Sequence, residues 1–185
     1  MRYWPYFILI VLSGGCVHSD LAPGVSPAAI RSIQLGMDLE AVIDILGVPL
    51  SVSAVHGAHS IGCRSRPERL ERDVSSGSQL RLWLDSLFKS PPCCEGNKGE
   101  RVWKHFTLLY SRMVDEYGVS PMLWVHFEHD RVRVVSAALN SHTPFRDDQG
   151  IYLLNTYHKR MRDGHHTAMT SYHCKEELLQ RYFSQ

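Results

Sequence analysis

Eleven histidines are spread along the chain, and four of them crowd with a cysteine into YHKRMRDGHHTAMTSYHC, residues 157–174. Neutral imidazole and thiolate are good zinc ligands, and three of them with an open fourth position would activate a water for hydrolysis. The spacing of His158, His165, His166, His173 and Cys174 argues against that use. No H-E-x-x-H and no C-x-x-C occurs, and His165 and His166 are adjacent, so on a helix they would point in different directions. Surface histidines are the simpler reading, with a pH-responsive cluster as the alternative. Cysteine nucleophile chemistry needs a thiolate beside a base, for which Cys63, Cys93 or Cys94 could pair with His56, His59 or His105. The adjacent carboxylates Asp147 and Asp148, and Glu176 and Glu177, suit solvation or a helix N-terminus better than a catalytic pair. A G-x-S-x-G elbow, a phosphate-binding loop and a dinucleotide fingerprint are all missing. No catalytic residue, metal ligand or cofactor is therefore expected, and a metal-dependent hydrolase is the least favoured reading.

The start of the chain speaks to location. Arg2 supplies a positive charge, Tyr6 to Leu12 form a short apolar run, and Ser13, Gly14 and Gly15 are small residues directly before Cys16. This is the layout of a secretory signal over residues 1–15, and the run is far shorter than the roughly 20 apolar residues of a membrane-spanning helix. The placement of Cys16 resembles the lipobox of bacterial lipoproteins, with Ser13 where the usual Leu would stand and Leu12 one place early. That resemblance implies a lipid on the Cys16 thiol, cleavage just before it, and a domain held at a membrane surface by acyl chains. Val17 after the cysteine favours the outer membrane, with the domain facing the periplasm.

The chain has 185 residues and a formal net charge of +1. That suits one domain with extensions, long enough to bury a core. Loss of Arg2 with the signal leaves basic and acidic residues equal in number, so no whole-chain field attracts nucleic acid, and nucleic-acid binding is not expected. With Cys16 lipidated, Cys63, Cys93, Cys94 and Cys174 remain, an even set that in an exported protein suggests disulfides. Pairing Cys93 with Cys94 would strain a vicinal bridge, so these two are expected to reach separately to Cys63 and Cys174, in either order.

Several elements are legible from periodicity. Residues 16–27 read as a flexible tether with two prolines and a glycine. Ser26 and Pro27 can open a helix that Gly36 ends, and Asp38 can cap a second one with Leu39, Val42, Ile43 and Leu46 on one face and Gly47 and Pro49 closing it. Phe106, Leu108 and Tyr110 alternate with Trp103, His105 and Thr107, as do Leu123, Val125 and Phe127 with Trp124, His126 and Glu128, ahead of a turn at His129 and Asp130 and the apolar Val132 and Val134. Residues 50–55 offer another strand. Residues 56–100 read as a cysteine-bearing insertion whose Leu80, Trp83, Leu84, Leu87 and Phe88 fit a helical stripe, the preferred reading, although Leu80, Leu82 and Leu84 also fit a strand. Residues 147–163 and 174–183 read as helices of a C-terminal extension, 141–185, carrying Ile151, Leu154, Tyr157 and Met161, then Leu178, Leu179 and Phe183. The expected architecture is α+β, a two-helix hairpin packed on a small antiparallel sheet. Trp103 and Trp124, on the strand faces away from the helices, are either covered by the insertion or the C-terminal helices, the favoured reading, or left as candidates for a partner surface.

IQLGMDLEAVIDILGVP, residues 33–49, resembles the helix-hairpin signature of the SmpA/OmlA (BamE-like) outer-membrane lipoproteins through Ile33, Gly36, Met37, Val42, Leu46, Gly47 and Pro49. LWVHFEHDRVRVVSA, residues 123–137, resembles that family's final hairpin, and the layout is also similar to the β-lactamase-inhibitor-protein fold. The resemblance implies a domain over residues 28–140 with two helices on a three-stranded sheet. It also implies an accessory role in outer-membrane or β-barrel assembly through protein–protein binding, with the assembly machinery as partner. The inhibitor-like likeness implies the alternative, a periplasmic inhibitor or ligand-binding lipoprotein.

Overall fold

The computed structural model describes residues 20–56, 58–59, 68–89, 101–102, 104–112, 120–140 and 150–184. Cys16, Cys63, Cys93, Cys94 and Trp103, with the signal segment and residues 57, 60–67 and 90–100 of the expected insertion, lie outside the described residues. In chain order the elements are β1 (Asp20–Leu21), α1 (Pro27–Ser32), α2 (Leu39–Leu46), β2 (Ser51–His56), β3 (Ala58–His59), β4 (Glu68–Asp73), α3 (Gly77–Lys89), β5 (Arg101–Val102), β6 (His105–Leu109), β7 (Ser111–Arg112), β8 (Ser120–Glu128), β9 (Arg131–Asn140), β10 (Gly150–Arg160), β11 (His166–Cys174) and α4 (Glu176–Phe183).

Local chemistry sets the helix ends. The Ser26 hydroxyl accepts from the Ala29 amide at 3.1 Å with Pro27 at the first helical position, and the Asp38 carboxylate accepts from the Ala41 amide at 2.9 Å. Gly47, at φ 78°, closes α2 in the left-handed region that a side chain would resist. Between the helices the Gly36 amide donates to the Val132 carbonyl and the Val132 amide to the Met37 carbonyl, both at 2.9 Å, which pins the interhelix turn to the start of β9.

The largest sheet has seven strands in the order β11-β10-β9-β8-β6-β2-β4, every neighbouring pair antiparallel. One face carries Val52, Ala54, Phe106, Leu108, Leu123, Val125, Phe127, Val135 and Ala137, which form a single core with Leu39, Val42 and Leu46 of α2, Leu80 and Leu84 of α3, and Leu179 and Phe183 of α4. Phe106 stacks on Phe127 with ring centroids 4.5 Å apart, and Phe88 at the end of α3 comes within 6.3 Å of Phe106. The described helices all contribute to this one side, because a half-buried antiparallel sheet needs apolar cover on only one face.

This corrects the expected architecture. The molecule is a large seven-stranded antiparallel sheet with a few short helices, not a two-helix hairpin on a small sheet. Part of the expected insertion is integral, since β4 pairs with β2 along its length and α3 supplies two buried leucines. The C-terminal extension is not helical over residues 150–163, the described part of the expected helix 147–163. Residues 150–160 and 166–174 form a hairpin that widens the sheet, turned by Gly164 at φ 88°, and among the described residues of the extension only 176–183 are helical. The spacing of Ile151, Leu154, Tyr157 and Met161 imitates a helix because a bulge near Gly150 buries two successive residues, Ile151 and Tyr152, while both faces of the strand beyond Thr156 meet solvent. Nothing there enforces the alternation by which a strand is recognised.

Candidate functional site

Strand register maps the face turned away from the helices. Residues paired across neighbouring strands share a face, and two such rows cross all seven strands. One runs Glu71, Ser53, Thr107, His126, Val134, Asn155, Ser171, and the next runs Asp73, Ser51, Leu109, Trp124, Ser136, Leu153, His173. Trp124 sits at the middle of the second row, half-buried, among the half-buried Leu109, Leu153 and Val134. Among the described residues no helix packs on this side. The Ser53 hydroxyl, buried at one end of the field, accepts from Arg69 Nε at 2.7 Å.

A histidine cluster lies beside Trp124. The His105 and His126 ring centroids are 5.6 Å apart and those of His105 and His129 are 6.4 Å apart. His126 Nδ1 and the Thr107 hydroxyl lie 3.0 Å apart across the strand pair. Glu128 is their shared anion, 4.0 Å from His105 Nε2 and 3.8 Å from His129 Nδ1, and its other oxygen is 3.2 Å from Arg133 Nε, close enough for an ion pair but off the line of a hydrogen bond. Arg133 is the residue left unpaired by the bulge between His126 and Phe127. Burial pushes the His126 pKa below that of free imidazole, and His105 adds to the shift while Glu128 opposes it. Burial likewise lowers His105, against Glu128 and with His129. Both rings are thus biased towards the neutral form, able to donate and accept one hydrogen bond each.

The turn between β8 and β9 joins this cluster to a cleft. His129 and Asp130 both adopt positive φ, 50° and 63°, as a two-residue turn matched to the twist of a hairpin requires. The turn is held from outside. The His129 amide donates to the Lys104 carbonyl at 3.0 Å, and Arg81 on α3 reaches Asp130 at 3.4 Å while bonding Glu40 on α2. The cleft beneath it, of about 260 Å³, has an apolar floor of Leu84, Phe88 and Phe106 and a charged rim that includes Arg81, Asp85 and Lys104.

The residues singled out from the sequence are dispersed. His158, His165 and His166 lie on the exposed outer part of the β10–β11 hairpin, while His173 and Cys174 point to opposite faces of β11. Among the described residues no group of three or more histidine, cysteine or acidic side chains is arranged to hold a metal ion. Cys174 is half-buried, with Sγ 3.6 Å from Glu176 Oε2, and burial raises the pKa of its thiol. Its prospective disulfide partners lie outside the described residues. The cluster of Thr107, Glu128, His129 and Arg133 around His105 and His126 was not singled out from the sequence. Alternation places His105 and Thr107 on one face and His126 and Glu128 on another, but only the β6–β8 register brings the two together.

The fold and site define a two-layer protein with a helix-backed sheet whose other side, mixed polar and aromatic, carries no helix among the described residues. In comparisons with protein-family models, curated proteins and solved structures, the chain matches none at a significant level.

Proposed function

We propose that the protein is a non-catalytic lipoprotein, anchored through Cys16 to the periplasmic face of the bacterial outer membrane, that works by binding another envelope protein across the helix-free side of its sheet. The observation that carries this reading is Trp124 in the middle of that side, paired with Leu109 and Ser136, with Val134 and Leu153 on the next two strands and the His105, His126, Glu128 and Arg133 cluster beside it. An aromatic centre with aliphatic neighbours and a charged border is the composition of a recognition patch. The outer-membrane assembly machinery named by the motif likeness is not retained as the partner, because the fold which that likeness implies is not the fold of this chain.

A photo-crosslinking residue at Leu153 or Val134, in the chain expressed in a Gram-negative host, should give one discrete adduct with an envelope protein. The same residue at Leu82, 71% exposed on α3, should not. Adducts of equal yield from Leu82, or none from the sheet side, overturn the binding reading, and an adduct with a soluble periplasmic enzyme selects the inhibitor alternative. Intact mass tests the anchor separately: a chain starting at Cys16 with acyl groups supports it, and an unmodified Cys16 removes it.

A further inference from the structure

The β10–β11 hairpin outgrows the sheet. β10 pairs with β9 only as far as Asn155, whereas its pairing with β11 continues for five more residues, from Thr156 opposite Thr170 to Arg160 opposite His166. At about 3.4 Å per residue this is an arm of roughly 17 Å. Every residue from 157 to 170 is exposed, and the apex is built rather than slack, since the Met161 amide donates to the His165 carbonyl at 2.7 Å and the Gly164 amide to the Met161 carbonyl at 3.0 Å.

The chain is nearly neutral, yet Lys159, Arg160 and Arg162 gather at this apex with Asp163 as the single acidic residue, and Asp163 is turned inward to accept from the His165 amide at 3.0 Å. Among the described residues none of these three cations has an ion-pair partner. Between them stands Met161, 45% exposed, and three pairs back from the last pair of the arm, Arg160 with His166, Tyr157 and Met169 face each other across the strands, 42% and 37% exposed.

We propose that this arm docks, tip first, on the phosphate-bearing surface of an anionic lipid bilayer. Three unpaired cations match the headgroups, and a flexible thioether at the apex, backed by an amphipathic tyrosine, suits the boundary between headgroups and acyl chains. A nucleic acid would use the cations but offers nothing for Met161, and the sequence pI of about 7.8 is below that of a typical nucleic-acid-binding domain. Docked in this way, the arm holds the sheet away from the membrane and leaves its helix-free side accessible. The inference stands on the arm alone and does not depend on a partner protein at Trp124.

The test uses the full chain carrying Cys16→Ser, so that no acyl chain contributes, in co-sedimentation with vesicles of phosphatidylglycerol and phosphatidylethanolamine. The readout is the difference between this protein and the same chain with K159S/R160S/R162S, which leaves any partitioning of the N-terminal apolar run common to both. Each lost cation should weaken binding about fivefold, so the triple variant binds about a hundredfold more weakly, with a correspondingly flatter salt dependence. Met161→Ser alone should cost about tenfold. Far-UV circular dichroism should be unchanged for both variants, because the substituted side chains are exposed. The proposal is overturned if the triple variant binds like its parent, if phosphatidylcholine vesicles bind the parent equally well, or if a duplex DNA does so with the same loss in the triple variant.

Discussion

Gly24 lies between β1 and α1, and replacing it with alanine tests how tightly that junction is packed. A Cβ there would stand 2.3 Å from the Leu46 carbonyl oxygen, 2.6 Å from the Leu46 carbonyl carbon and 3.0 Å from the Gly47 amide nitrogen. Optimal contacts of carbon lie near 3.5–4.0 Å, so the overlap is about 1 Å, and all three atoms belong to backbone that cannot rotate aside. Both sides are also fastened to Tyr110: the Ala22 amide donates to its carbonyl at 2.9 Å, and its hydroxyl donates to the Gly47 carbonyl at 3.2 Å. Either the Ala22–Val25 segment, buried at both ends, or the end of α2 must move. Overpacking costs about 1–3 kcal/mol even where side chains can adjust, and a clash of backbone with backbone belongs at the upper end, about 3 kcal/mol. With a urea slope of about 2 kcal/mol per molar, the unfolding midpoint of Gly24→Ala should fall by about 1.5 M, and Tm by about 6–12 °C. Gly77→Ala is the control. Its Cβ would meet only Ile43 side-chain carbons at 3.6 Å, at the start of α3, so its midpoint should match or slightly exceed that of the parent. A Gly24→Ala protein that unfolds at the parental midpoint, or a Gly77→Ala protein that falls as far, refutes the packing argument.

Two further measurements address the cluster and the core. His105 and His126 have folded-state pKa values lowered by burial, so between those values and the unfolded value near 6.5 the unfolded chain binds more protons. Their contribution is complete above about pH 6.5 and is lost as pH falls below it, by at most about 1.4 kcal/mol per pH unit for each ring. Glu176, held below the ordinary carboxylate range by Gln180 and Arg31, titrates lower and stays out of this window. Urea midpoints taken from pH 7.5 to 5.5 should therefore fall (about two pH units around the free imidazole value), and His126→Gln should flatten the fall; an unchanged slope would count against the burial of that ring. Phe183→Ala, which empties a fully buried site where α4 meets the core, should cost about 3–5 kcal/mol in the same assay. Leu82→Ser, on an exposed side chain, should stay within about 0.5 kcal/mol, and similar midpoints for the two variants would mean that α4 does not seal the core.

What the sequence determined by itself is local. The capping of α1 by Ser26 and of α2 by Asp38, the glycine stop at Gly47, the leucine stripe of α3 and the hairpin turning at His129 and Asp130 each follow from interactions within a few residues, and they stand in the structure where those patterns place them. The same alternation separated Phe106, Leu123, Val125 and Phe127 from His105, Thr107, Trp124 and His126. Only the tertiary structure decided the order of seven strands, the insertion of β2 between β4 and β6, the meeting of Glu128 with His105 and Arg133, and the strand identity of residues 150–160 and 166–174. These depend on which segments exclude water from one another across long separations in the chain. Where a strand is bare on both faces, as in the β10–β11 arm, its own residues carry no burial pattern, and its conformation is set by the neighbour with which it shares hydrogen bonds.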